Sequence, residues 1–244
     1  MDADRPSRLE WKLRAAAIPA ALAIALAFHA WPLGHFFQRT WLSMMVHELG
    51  HAVTAWWTGF AALPGLWKTL IPETRGAIWI AVAALELGLV VYGWRRERMA
   101  IAAAGLALAV VQWFGTTLPV DTAQAWIAFG GDGMGMVLGS LLMIGFFVPR
   151  LAAGGLRWGV LVIGAAAYVD TFATWWTARH DPDIIPFGEI EGVGLSDPSK
   201  LSEVYNWSTS TIVHRFVTVG VTCGVVLAAV WAWQTWRARA ASVH

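Results

Sequence analysis

The stretch "MMVHELGHAVTAWW" (residues 44–57) decides how this chain is interpreted, because the H-E-x-x-H pattern of a metal site lies inside an apolar run. Successive residues of an α-helix advance by about 100°, so His47 and His51 project from one face, one turn apart. Two imidazoles at this spacing can bind one tetrahedral zinc ion. The methionine, valine, alanine and tryptophan around them are typical of a helix that lies in lipid.

The composition predicts a membrane protein. Hydrophobic residues make up 57% of the 244 residues and charged residues 14%, against a typical charged share of about 25% in soluble domains. Many of the 17 tryptophans lie near the ends of apolar runs, where amphipathic rings sit at a lipid–water boundary. The single cysteine, Cys223, excludes an internal disulfide and a cysteine-based metal site. A net charge of +1 without a long basic tract does not indicate a nucleic-acid partner.

A helix needs about 20 mostly apolar residues to cross a bilayer. Candidate spans are 15–31, 40–58, 76–94, 99–118, 126–148, 156–177 and 211–236. We therefore predict an all-α polytopic membrane protein with about six or seven transmembrane helices. Residues 1–244 are expected to form a single integral membrane domain, with a basic N-terminal tail at 1–14 and an acidic extramembrane loop at 178–210. Although Ala25-Leu26-Ala27 resembles a signal-peptide cleavage site, the apolar run continues past it, which favours an uncleaved first span.

The positions of lysine and arginine predict the orientation, because short cytoplasmic loops are rich in them. The span count places three basic segments together in the cytoplasm: the loop 95–98, Arg157 and the C-terminal arginines. This is expected for a multi-pass protein of a bacterial cytoplasmic membrane. Counting back through three spans places the basic N-terminus on the other side. One miscounted span between the motif and Arg95 would remove this conflict, and we suspect the proline-containing segment 59–75. That segment is a possible re-entrant or β-like element, which bilayer depth tolerates only where it is sheltered.

Glu48 is the candidate catalytic residue. It lies beside the two histidines around the helix axis, which suits a general base for a zinc-bound water. Three ionisable groups within five residues of an apolar helix are costly unless they serve one another or a metal. The alternative is a polar cluster packed against neighbouring helices, or a site that has lost its metal.

A catalytic zinc ion usually has three protein ligands, so the motif needs a third. Asp132, in "AFGGDGMGMVLG" (128–139), is our first candidate, because its glycine neighbours would let a metal approach; a helix N-cap is the alternative. The runner-up is Asp170, an intramembrane aspartate that could instead pair with Arg179 or accept bonds from neighbouring threonines.

These residues resemble the site-2 protease-like intramembrane zinc metallopeptidases. The resemblance rests on "HELGH" (47–51) within an apolar helix and on the pair Asp132-Gly133, expected to open a later one. It implies that His47, His51 and Asp132 bind Zn²⁺ and that Glu48 is the catalytic base. It also implies that the two motif helices run parallel with one helix between them, whereas the span count above gives two.

The hypothesis from the sequence is an intramembrane zinc metalloendopeptidase that hydrolyses peptide bonds in or near transmembrane segments. Its expected partners are a transmembrane protein substrate and the lipid bilayer. The alternative is a non-catalytic membrane binding or transport protein built on an inactive protease-like scaffold. A bis-histidine haem site, using residues such as His29 and His214 with the motif histidines, is a third possibility that leaves Glu48 without a role.

Overall fold

The computed structural model describes residues 8–152, 155–190 and 194–243. Its α-helices are α1 (Arg8–Ala30), α2 (Pro32–Phe37), α3 (Met44–Trp57), α4 (Ile78–Arg95), α5 (Met99–Thr117), α6 (Val120–Gly145), α7 (Pro149–Ala152), α8 (Leu156–Thr177), α9 (Asp197–Ser199) and α10 (Thr209–Val243). Shorter helical stretches are π-helical at Gln38–Ser43 and Lys200–Val204 and 3-10 at Pro182–Ile184. Two antiparallel hairpins pair β1 (Leu63–Pro64) with β2 (Thr69–Leu70) and β3 (Glu189–Ile190) with β4 (Gly194–Leu195). The all-α fold class is confirmed. Residues 1–7 of the predicted tail and 191–193 of the predicted acidic loop lie outside the described residues.

Six helices are long and apolar enough to cross a membrane, among the residues that the structure describes. They are Glu10–Ala30, Ile78–Arg95, Met99–Thr117, Val120–Gly145, Leu156–Thr177 and Thr209–Ala241. The predicted run 40–58 is not among them, because α3 has only 14 residues and follows a π-helical stretch. The segment 59–75 contains the β1–β2 hairpin rather than a helix, as the β-like alternative predicted.

The chain divides into two compact units. The first comprises Met1–His47, Gly135–Ile185 and Ser208–His244, and the second comprises Glu48–Met134 and Pro186–Trp207. Two of the four divisions fall inside α3 and α6, both of which are unbroken helices, and the other two follow Ile185 and Trp207. The single-domain expectation stays a prediction.

Within the first unit, three basic segments lie at one end. Arg157 at the start of α8 donates to Glu10 near the start of α1, with Nη1 2.9 Å from Oε1. Trp231, in the second half of α10, donates from Nε1 to the carbonyl oxygen of Ala15 at 3.0 Å. The start of α1 therefore lies at the same end of the first unit as Arg157. A span count that omits 40–58, or one that adds a crossing at 59–75, gives the same result, so the expected miscount near 59–75 stays a prediction.

Within the second unit, a small apolar core supports the turn that follows α3. Ala55, Phe60, Ala123 and Ile127 are buried together. Arg75 caps the C-terminal ends of α3 and α5. Its Nε donates to the carbonyl of Thr58 at 2.9 Å and its Nη2 to that of Leu118 at 2.6 Å. Carbonyl groups at helix C-termini lack intrahelical partners and carry partial negative charge, so a guanidinium stabilises them. This arrangement fixes the hairpin segment against the end of the motif helix.

Candidate metal centre

His51 has the hydrogen bonding of a metal-binding histidine. Its side chain is buried, and its Nδ1 lies 2.7 Å from the carbonyl oxygen of Ile127. A carbonyl only accepts, so Nδ1 carries a ring proton. Histidines that bind metals are usually oriented by this kind of bond from the other ring nitrogen. The other ring nitrogen, Nε2, lies 3.0 Å from Oδ2 of Asp197.

His47 completes a group of three possible ligands. Because α3 is unbroken across the division of the chain, His47 is fixed one turn before His51. The possible ligands are thus two imidazoles on one helix and the carboxylate that pairs with His51. Two imidazole nitrogens and a carboxylate oxygen are donors that zinc prefers, and a fourth position would be open to water. These residues could therefore bind a metal ion.

Glu48 lies buried next to His47, and the hairpin holds its carboxylate. Thr69 on β2 places its hydroxyl 2.7 Å from Oε2 of Glu48 and 2.8 Å from the Glu48 carbonyl oxygen. A hydroxyl has one proton, so it donates to one of these oxygens at a time. The orientation of Glu48 thus depends on the segment 59–75.

Asp197 is held by the segment 186–207, which is packed against α6. Ser196 caps α9, accepting from the Ser199 amide, and Lys200 donates to Oδ1 of Asp197 at 3.2 Å. Farther along, the ring of Trp207 lies 5.7 Å from that of Trp126 on α6, centroid to centroid. The Tyr205 hydroxyl donates to Oε1 of Gln124 on α6 at 3.5 Å. Burial raises the pKa of this phenol. The ring and hydroxyl contacts hold the segment that carries Asp197 on α6.

The predicted third ligand, Asp132, lies in the interior of α6. This position excludes the N-cap alternative, because the helix begins at Val120. Among the described residues, the two groups of possible metal ligands contain Asp197 and Asp170 but not Asp132. The role of Asp132 as a ligand therefore stays a prediction, and Asp197 becomes a second candidate.

The runner-up, Asp170, pairs with other residues of the first unit. Its Oδ2 accepts from Nη1 of Arg39 at 3.0 Å, and its Oδ1 lies 2.8 Å from Nε2 of His35. Arg179, the partner that the sequence suggested, instead places its guanidinium carbon 3.3 Å from the ring centre of Trp176. Asp170 therefore belongs to a separate ionic cluster.

Sequence reasoning did not find Asp197. The triplet Ser196-Asp197-Pro198 carries a helix-start signal, since serine is a common N-cap and proline a common first-turn residue. That signal predicts local structure alone. No spacing rule connects a loop residue to a histidine 146 positions earlier (197 − 51 = 146).

Gly130 lets α6 approach the motif helix closely. A Cβ built at Gly130 would lie 2.8 Å from Cβ of Thr54 and 3.2 Å from the carbonyl oxygen of Gly50, and still nearer to the Thr54 hydroxyl. We expect Gly130→Ala to lower the free energy of unfolding by about 1–3 kcal/mol, because neighbouring backbone must move. Thermal unfolding in detergent measures this effect. Gly88→Ala on α4 is the matched control, because a Cβ there meets nothing within 4 Å; equal melting temperatures for the two variants would contradict the close packing.

Comparison of the chain with known protein families, with curated proteins and with solved structures gives no match.

Proposed function

We propose that this chain is an intramembrane zinc metalloendopeptidase, which hydrolyses peptide bonds in or near transmembrane segments of other proteins. The observation that carries the proposal is the contact of His51 with Asp197, on the helix that also carries His47 and Glu48. Six helices able to cross a membrane support the location of the site in a multi-pass membrane protein. The resemblance of "HELGH" to site-2 protease-like enzymes supports the reaction type.

Bound zinc would supply a Lewis acid that lowers the pKa of a water molecule and polarises the scissile carbonyl. His47, His51 and an aspartate would hold it, the aspartate being Asp197 or Asp132. The chain's own contribution to the chemistry is Glu48. Its carboxylate takes the proton from the attacking water and passes it to the leaving amine.

The β1–β2 hairpin suits the binding of an extended substrate. A peptide bond within a helix is shielded by neighbouring turns, so a transmembrane substrate must unwind locally before attack. An extended chain can then pair with an exposed strand edge. β2 carries Thr69, whose hydroxyl contacts Glu48, so a substrate strand along this hairpin would pass close to the base.

Removal of the metal tests the proposal. We expect the purified protein in detergent to cleave a fluorescently labelled model transmembrane peptide, and to lose this activity on treatment with 1,10-phenanthroline. Added zinc should restore cleavage, with zinc content measured in parallel by plasma mass spectrometry. A protein that contains no zinc, with His47→Ala indistinguishable from the unaltered chain, would instead favour a non-catalytic binding or transport protein.

The Thr69 contact predicts a smaller effect on catalysis. Thr69→Val removes the hydroxyl and keeps the shape, so Glu48 loses a hydrogen bond of about 1.5–3 kcal/mol, typical for a charged acceptor. We expect kcat for peptide cleavage to fall by about 10-fold or more, with zinc content unchanged. Thr117→Val, at an exposed hydroxyl of α5, is the control. An unaltered kcat in Thr69→Val would show that the hairpin does not position the base.

A further inference from the structure

A second set of possible metal ligands lies entirely within the first unit. Asp170 on α8 is 1% exposed, and its Oδ1 lies 2.8 Å from Nε2 of His35 on α2 and 3.6 Å from Nδ1 of His29 on α1. Ligand atoms of the three residues lie within 4.8 Å of one another. The other oxygen, Oδ2, accepts from Nη1 of Arg39 at 3.0 Å. We call these four residues the Asp170 cluster.

Hydrogen bonds within the Asp170 cluster do not satisfy all of its buried polar atoms. A proton on Nε2 of His35 can donate to Oδ1 of Asp170, which accounts for the 2.8 Å separation. Nδ1 of His29 lies 3.6 Å from the same oxygen, beyond hydrogen-bonding distance. Within the described part of the chain, this nitrogen is buried and has no hydrogen-bond partner. Buried polar atoms are rarely left in that state unless an ion or water fills the gap.

We propose that His29, His35 and Asp170 bind a second divalent transition-metal ion, of the class that prefers imidazole and carboxylate donors. A single cation between the three ligand atoms would satisfy both ring nitrogens and Oδ1 together. Zinc, with two histidines and one carboxylate, is the simplest match.

The other contacts of the Asp170 cluster are compatible with a metal. Arg39 binds the oxygen that faces away from the histidines, and so orients the carboxylate as outer partners of metal ligands do. The side chains of His35 and Arg39 are 41% and 35% exposed, which gives an ion a route of access. The positive charge of Arg39 opposes a cation, so we expect this site to bind zinc more weakly than the motif. A bound ion would join α1, α2 and α8.

Zinc counting in a chain without the first site tests the proposal. The full chain carrying His47→Ala and His51→Ala, purified without a histidine tag, is equilibrated with zinc in detergent and analysed by plasma mass spectrometry. We expect about one zinc ion per chain. Adding His29→Gln or Asp170→Asn should remove it, whereas adding His214→Ala, at an exposed histidine of α10, should not.

Thermal unfolding supplies a second readout, because a ligand bound only by the folded chain raises its melting temperature. Zinc should raise the melting temperature of the double variant and leave that of the His29→Gln triple variant unchanged. His29→Gln retains a polar side chain, which limits the risk of misfolding. A double variant that binds no zinc, or a triple variant that keeps it, overturns the proposal. Because the motif histidines are absent from every variant compared, this outcome is independent of whether the motif is an active peptidase site.

Discussion

Glu48→Gln is expected to keep the zinc content of the unaltered chain and to lower kcat for peptide cleavage by about 10³-fold. The amide retains the size of the side chain and can still accept from Thr69, but it cannot take a proton from water. General base catalysis typically contributes about 10²–10⁴-fold to a rate. Parallel measurement of cleavage and of zinc by plasma mass spectrometry separates loss of the base from loss of the metal.

Glu73→Gln is the matched control for this change. It removes the same charge at an exposed position after the hairpin, so its kcat should equal that of the unaltered chain. Full activity in Glu48→Gln would refute the proposed function, because that function assigns the general base to Glu48. Loss of zinc in that variant would instead assign Glu48 to the metal site itself.

Asp197→Ala is expected to weaken zinc binding at the motif by about 100-fold or more and to abolish cleavage. Removing a ligand should cost at least as much as removing an outer partner of a ligand, for which losses of about 10–100-fold are typical. Zinc competition with a coloured chelator measures the affinity. Asp183→Ala, an exposed aspartate of the same loop, should bind zinc normally.

Two further aspartate variants identify the third ligand. If Asp132→Ala loses the motif zinc and Asp197→Ala keeps it, the ligand set is the one implied by the resemblance to site-2 protease-like enzymes. The zinc lost in Asp197→Ala should not add to the zinc lost in His51→Ala, since both changes remove the same ion. The zinc lost in Asp170→Ala should add to the zinc lost in His51→Ala, because Asp170 contacts His35 and Arg39 and belongs to the second proposed site.

The sequence predicts the parts of this molecule that depend on near neighbours. The i, i+4 spacing of the histidines and the apolar residues around them predict α3, and the prolines of 59–75 indicate that this segment is not a plain helix. The long apolar runs predict the six helices that can cross a membrane. Each of these predictions uses information within about 20 residues.

The remainder depends on contacts between distant positions. Asp197 reaches His51 because Trp207 and Tyr205 hold its segment on α6. Asp170 meets Arg39 rather than Arg179 because α8 packs beside the π-helical stretch before the motif. The apolar character of 40–58 also conceals a change from π-helix to α-helix, which hydropathy does not reveal.

The place of Asp197 in the chain has a consequence for biosynthesis. His47, Glu48 and His51 leave the ribosome early, whereas Asp197 follows five of the six helices that can cross a membrane. If Asp197 is the third ligand, the growing polypeptide offers zinc only two ligands until most of it has been made and inserted. Metal capture would then be one of the last steps of maturation, and a nascent chain truncated after α8 would be unable to hydrolyse its neighbours.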